Sequence, residues 1–257
     1  MHKVVLTVDL ETDWETNDTE AIEIVLPKFL KLLKQHKAKA TFFVVGELAE
    51  KFPEQIQQII KQGHEIASHS NTHRNLKKLR FDELEKEVSD SKQTLEKLGC
   101  KVQGFRAPRG VEPMELKSIL KKHNYQYNSS TIASWFPGRY NHLDKANPTK
   151  DELIELPIPN FTHLHIPAGL SYVRLFNPMF NRIFTEQPYL IYLHLHEFTN
   201  KPQSKHIPAI VRMASYRNRG DKAWKIFEKI INTKTKFITC QEYIKSNSNK
   251  FSKRLSN

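Results

Sequence analysis

The stretch ATFFVVGELAEKFPEQIQQIIKQGHEIASHSNTH, residues 40–73, decides the fold. Its opening, residues 40–45, is a continuous apolar run closed by Gly46, the pattern of a strand buried on both faces. Ile56, Ile59 and Ile60 recur at helical spacing, and Gly63 suits the left-handed residue that ends a helix. Residues 65–68 return to a short strand that runs straight into a histidine-rich turn. Strand, helix, strand is the signature of a parallel pair, since a crossover must carry the chain back before the second strand can run the same way.

The same alternation extends in both directions. Residues 3–9, KVVLTVD, read as a strand ending in acidic residues, followed by a helix with Ile22, Val25, Leu26, Phe29, Leu32 and Leu33 on one face. Asp82 and Glu85 have the spacing of a capping box for a helix carrying Leu84, Val88, Ser91, Leu95 and Leu98, with Gly99 at its end. Residues 101–105 and 125–129 are strand-like, and Pro113 suits the first turn of a helix between them. Residues 132–186 are less regular, rich in Pro, His and aromatic residues, and predict long loops. A β-prone run, residues 188–195, is followed by a helix with Trp224, Phe227, Ile230 and Ile231 and a strand near residues 237–239. The alternation predicts an α/β fold with a mostly parallel sheet. Without a G-x-G-x-x-G or P-loop motif, a (β/α) barrel, complete or incomplete, is favoured over a nucleotide-binding open sheet. Barrels work at the carboxyl ends of their strands, and Asp9, His69, Arg106, Asn128 and His194 all follow strand-like runs.

Composition narrows the class. A chain of 257 residues with 39% apolar content suffices for one α/β domain with a core. The net charge of +12 comes mostly from lysines scattered over helix faces. That scatter fits solvated surfaces first and an anionic membrane or glycan second. Nucleic-acid binding is not expected, as no RNA-binding, zinc-finger or helix-turn-helix pattern is present. Cys100 and Cys240 make no disulfide framework. The N-terminal apolar run is too short for a signal peptide and no stretch is long enough to span a bilayer, so the expected location is the cytoplasm, with peripheral contact to the inner membrane face as a variant.

Four clusters can carry chemistry. In TVDLETDW, residues 7–14, Asp9 and Glu11 are two apart on a strand and can share one pocket, where two carboxylates repel unless a cation separates them or one stays protonated. In SHSNTHR, residues 68–74, His69 and His73 are spaced to hold one metal from a single helical turn, with a carboxylate as third ligand leaving room for water. Imidazole donors suit Zn, Co, Ni or Fe. In GFRAPRG, residues 104–110, Arg106 presents a planar fork suited to orienting Asp9. In YLHLHEF, residues 192–198, His194 and His196 alternate on a strand-like segment, and a histidine there is a natural proton donor to a departing amine. Each cluster alone also has an ordinary structural reading. Their combination is far more specific.

That combination, in this order, resembles the polysaccharide deacetylase family, the NodB-homology domain of carbohydrate esterase family 4, over residues 4–243. Residues 41–73 match best. TVDLETDW, YLHLHEF and GLSYVRL (residues 169–175) resemble the exopolysaccharide-associated branch, whose first motif is similar to F-D-V-E-D-W. The resemblance implies a distorted (β/α) barrel with seven strands, and a metal-dependent hydrolase that removes an N-acyl group from an amino sugar, polymeric, free or lipid-linked. It implies one divalent ion, zinc first, held by Glu11, His69 and His73, with Asp9 as general base, Arg106 orienting it and His194 as general acid. It also divides the chain into a catalytic domain, residues 1–245, and a polar basic tail, residues 246–257. Two departures stand out. The second carboxylate is a Glu two positions on, which leaves Asp13 as a rival ligand, and Asn128 stands where the family often has the Asp that pairs with the acid histidine. Asp144, Asp151 and Glu197 are the candidates to replace it. Trp135, Phe136, Phe161, Tyr172, Phe176 and Phe180 offer apolar platforms for sugar or lipid, or ordinary packing. A catalytically silent carbohydrate-binding domain is the contrasting reading.

Overall fold

A computed structural model of the chain describes residues 2–12, 18–134, 147–150, 153–161, 166–177, 188–200 and 216–252. Strand β1 (Lys3–Leu10) is buried along all but its first residue, as a continuous apolar run requires. It pairs in parallel with β2 (Thr41–Val44), with β10 (Leu190–His194) and, at its start, with β11 (Lys236–Ile238). The sheet continues through β3 (Glu65–Ser68), β4 (Gly104–Phe105), β5 (Tyr127–Asn128) and β7 (Ile154–Glu155), with β6 (Thr149–Lys150) antiparallel at the far edge. Along the path β10-β1-β2-β3-β4-β5-β7 seven strands run parallel, and the sheet curls into a half-barrel. The expected α/β barrel with seven strands is what forms. Its two ends are bridged by irregular backbone: Ala168 N–H donates to Pro159 O at 2.7 Å, and Tyr192 N–H donates to Ala168 O at 3.0 Å. A small hairpin of β8 (Asn160–Phe161) and β9 (Ile166–Pro167) lies beside that bridge.

Alternation along the strands separates two layers. Val4, Leu6, Val8 and Leu10 of β1, Phe42 and Val44 of β2, and Ile191 and Leu193 of β10 share one large apolar cluster with the helices. These are α1 (Leu26–Gln35), α2 (Gly46–Lys51), α3 (Pro53–Lys61), α4 (Phe81–Glu96), α5 (Leu116–Lys122), α6 (Leu170–Phe176) and α7 (Asp221–Ile231). Val5, Phe43, Ala67, Tyr127 and Tyr192 form a second cluster on the inner face. Thr7 and Asp9 alternate with Val8, and so belong to this inner face. The inner face also admits Gly104 and no larger residue, because a Cβ there would stand 1.9 Å from Cζ of Tyr127.

Several local expectations change. The helix predicted around Ile22 starts with a π turn, Ala21–Val25, before α1. Helix α4 is capped two residues earlier than the Asp82/Glu85 spacing suggests: Arg80 is the cap, and Glu83 reaches back to accept its N–H at 3.0 Å. The strands predicted over residues 101–105 and 125–129 shrink to two residues each, because only those residues meet a neighbouring ladder. After α8 (Cys240–Ser246), the turn α9 (Ser248–Ser252) puts Phe251 into the inner cluster, 6% exposed. No described helix is long and apolar enough to cross a membrane.

One buried histidine outside the site makes the fold pH-sensitive. His64 Nδ1 accepts the Ala40 N–H at 3.3 Å, with Phe42 edge-on to its ring. Burial first, and Lys39 second, lower its pKa from 6.5 to about 4. The unfolded chain therefore binds more protons than the folded one between those values, and stability present above pH 6.5 is lost as pH falls towards 4. Denaturant titrations of wild type and His64→Asn should diverge across that window by up to about 3 kcal/mol. Parallel pH profiles would show that His64 does not carry the effect.

Candidate active site

The site lies at the carboxyl end of the sheet, where β1, β3, β4 and β10 deliver their polar ends. Asp9, 5% exposed, is in register with His194 of β10 and Phe43 of β2. Arg106, one residue past β4, crosses the interior and donates from Nη1 to Asp9 Oδ1 at 2.6 Å and to Thr7 Oγ1 at 3.1 Å. Its other nitrogens are fixed by Ser129: Nε donates to the carbonyl at 3.0 Å and Nη2 to the hydroxyl at 2.9 Å. The guanidinium also lies 4.0 Å over the Phe43 ring. All three guanidinium nitrogens are thus hydrogen-bonded, and Asp9 is held through Oδ1 with Oδ2 towards His194.

Glu11 sits just beyond β1, 8% exposed, among four histidines. Its Oε2 is 2.5 Å from His73 Nε2 and 3.6 Å from His69 Nε2, and its Oε1 is 3.7 Å from His194 Nε2 and 3.9 Å from His196 Nδ1. Burial alone would raise its pKa, but His73, His69 and His194 outweigh burial and hold it well below the usual carboxylate value. Glu11, His69 and His73 bring three ligand atoms within 4.8 Å of one another. Their chemistry fits a cation. His69 Nδ1 is 2.8 Å from the carbonyl of Arg106, which can only accept, so the proton sits on Nδ1 and the Nε2 lone pair faces Glu11. His73 Nε2 is buried and has no hydrogen-bond partner despite its nearness to Glu11, as expected of two lone pairs converging on a third point. The rival ligand Asp13 lies outside the described residues.

The two histidines do not come from a helical turn, as their spacing suggested. Residues 69–75 form a tight loop with positive φ at Ser70 (64°) and His73 (59°), conformations uncommon for residues with a Cβ. What holds this loop is Glu87 of α4, which is 2% exposed. Its Oε2 accepts the N–H groups of Asn71 and Thr72, each at 2.9 Å, and its Oε1 accepts the Thr72 hydroxyl and Arg74 Nε. From the other side, the N–H groups of Gly46 and Glu47 at the start of α2 donate to Ser70 O and Asn71 O at 3.0 Å. Sequence reasoning missed Glu87. Its one signal is an acidic residue beside Val88 on the apolar face of α4.

His194 ends β10 with 22% of its side chain exposed. Its Nε2 faces Asp9 Oδ2 and Glu11 Oε1, both at 3.7 Å. Burial works against its charge, but Glu197 above all, then Glu11 and Asp9, raise its pKa to about 9. His196 belongs to a 3₁₀ turn, Leu195–Phe198, and not to the strand as alternation suggested. Its ring still stacks on that of His194, 4.9 Å between centroids, and burial together with His194 lowers its pKa to about 3. Asn128 takes no part. It is in register with Phe105, which points into the outer apolar layer, and its amide donates to Glu112 and Glu155 at 2.8 and 2.9 Å. Of the candidates to replace a carboxylate there, Glu197 is beside His194, whereas Asp144 and Asp151 lie outside the described residues. Trp135, Phe136 and Phe180 also lie outside them, Phe176 is 36% exposed on α6, and Tyr172 is half-buried on the same helix.

Residues 2–128 match the Polysaccharide deacetylase family. Among curated relatives, a peptidoglycan-N-acetylglucosamine deacetylase of Bacillus cereus is 41% identical over 87 residues, which are 34% of this chain and 30% of that protein. A chitooligosaccharide deacetylase of Sinorhizobium fredii is 33% identical over 91 residues, 34% of this chain and 42% of its own. The chain thus spans less than two thirds of the length of these relatives. Peptidoglycan deacetylase PdaC from Bacillus subtilis superimposes with a TM-score of 0.58 over 99% of this chain and 95% of its own, at 18% identity, which shows the shared fold. The family match covers just under half of the chain, and it includes the first strand, the histidine loop and Arg106. All six residues expected at the site, Asp9, Glu11, His69, His73, Arg106 and His194, meet in one pocket.

Because Glu87 fixes the loop that carries His73, Glu87→Ala should weaken zinc binding about 10–100-fold, the usual effect of losing a group that orients a ligand. Calorimetric titration with zinc measures it. An unchanged affinity would mean that the loop holds its shape without Glu87.

Proposed function

We propose that this chain is a metal-dependent hydrolase that removes an N-acyl group, acetyl first, from an amino sugar. The observation that carries the reading is the convergence, in one buried pocket, of a Glu11/His69/His73 donor set, an Arg106-held Asp9 and the His194 Nε2. A divalent cation on Glu11, His69 and His73 would supply the Lewis acidity that an amide carbonyl needs. Asp9, with Oδ1 engaged by Arg106, offers Oδ2 to take a proton from the attacking water. As the C–N bond breaks, His194 Nε2 gives its proton to the nitrogen, so that a neutral amine leaves and the acyl group departs as a carboxylic acid that ionises in solution.

The names of the relatives favour an N-acetylated glycan, polymeric or oligomeric, as substrate class. Lipid-linked amino sugars at the inner membrane face are a second substrate form, motivated by the net charge of +12. Within the family we place the chain nearest the exopolysaccharide-associated branch, on TVDLETDW and YLHLHEF. A binding domain without chemistry needs none of these proton-transfer groups, which weighs against the silent alternative.

Two measurements test the reading. With zinc-loaded protein and N-acetylglucosamine oligomers, Asp9→Asn should lower acetate release about 10²–10⁴-fold while zinc stoichiometry stays at the wild-type value. An active Asp9→Asn protein would contradict the base assignment. Vesicles with anionic lipid should sediment the protein at low salt if lipid-linked sugars are its substrates, and absence of binding removes that variant.

A further inference from the structure

We propose that Glu197, anchored by Arg174, is the positioning residue that sets the His194 imidazole for proton delivery. The inference rests on the role given to His194 above. Glu197 lies in the turn directly after β10, where its Oε1 accepts the His194 backbone N–H at 3.0 Å and stands 3.5 Å from Nδ1 of the same residue. Its Oε2 accepts Nε of Arg174 at 2.8 Å, and both side chains are only 2% exposed. His194 therefore has a carboxylate behind one ring nitrogen and the reaction pocket before the other. His196, stacked on the ring face, limits its rotation. The 3.5 Å gap is longer than a hydrogen bond, a common state for catalytic contacts before substrate closes them.

The anchor is built from three separate stretches of chain. Arg174 comes from α6, donates from Nη1 to Arg217 O at 2.7 Å, and its own carbonyl accepts Asn218 Nδ2 at 2.7 Å. Gly220 N–H closes the ring by donating to Glu197 O at 3.1 Å. Stability alone does not call for such a pair, since an apolar pair of similar volume serves a core as well or better. Its placement is what the site uses. Burial favours a neutral Glu197, and Arg174 is the foremost of the groups that keep it ionised. The position of Asn128, turned to the outer face, leaves Glu197 as the carboxylate within reach of Nδ1 among the described residues.

The test separates positioning from general damage by the leaving group. In zinc-loaded protein, Glu197→Gln should lower kcat for acetate release from N-acetylglucosamine oligomers about 10²-fold with KM little changed. Hydrolysis of 4-nitrophenyl acetate, whose leaving group departs without a proton, should fall less than about threefold, because it needs no general acid. Arg174→Met should follow Glu197→Gln, and Arg174→Lys, which keeps the charge, should recover part of the loss. Equal losses on amide and ester, or an unaffected amide reaction, would overturn the proposal. A second readout does not depend on activity. In metal-free protein the low-field proton resonance of His194 Nδ1–H, assigned by its loss in His194→Gln, should shift in Glu197→Gln and in Arg174→Lys. A resonance unmoved in both overturns the proposal. If wild type releases no acetate from any amide, the proposed function has failed, and the resonance alone decides the role of Glu197.

Discussion

Two buried carboxylates at the end of the central strand are the constraint to which the rest of the site answers. Asp9 on β1 and Glu11 just beyond it project into a space nearly closed to water, where buried charge calls for opposite charge or donors around it. Arg106 supplies one answer and is itself clamped by Ser129, Thr7 and the Phe43 ring. His73, His69 and His194 around Glu11 supply the other. The curl of the half-barrel makes this possible, since it turns the ends of β1, β3, β4 and β10 towards one point.

The supporting groups lie one layer out. Glu87 ties the 69–75 loop to α4, and Arg174 ties the turn after β10 to α6 through Glu197. The loop that carries His73 and the turn that follows His194 are thus each gripped by a helix on the outer face of the sheet. Such a site gains its precision from the packing of the helices and not from the loops that bear the ligands. Strain in the loop, with Ser70 and His73 at positive φ, is sustained by the bonds to Glu87 and to the start of α2.

Much of this was legible in the sequence because the signals are local. The long apolar runs of β1, β2 and β10 announce buried parallel strands, and polar residues directly after such runs mark a barrel's working end. The failures come from contacts that are distant in sequence. Residues 101–105 look like a strand, yet only Gly104 and Phe105 find a partner. His69 and His73 have helical spacing, but α4 and α2 fold their loop otherwise. Asn128 follows a strand-like run as His69 and His194 do, yet a single register fact, its pairing beside Phe105, turns it outward. Glu87 and Arg174 were invisible as supports because a charged residue on an apolar helix face has no meaning until its partner, far along the chain, is known.

The central claim is that Glu11, His69 and His73 together hold one cation, with His194 left free to carry a proton. X-ray absorption at the zinc edge of protein loaded with one equivalent of zinc tests it most directly. The account predicts a first shell of nitrogen and oxygen with the multiple scattering of two imidazoles, the same in His194→Gln and reduced to one imidazole in His73→Gln. A shell that needs three or more imidazoles, or one that changes when His194 is replaced, would contradict it.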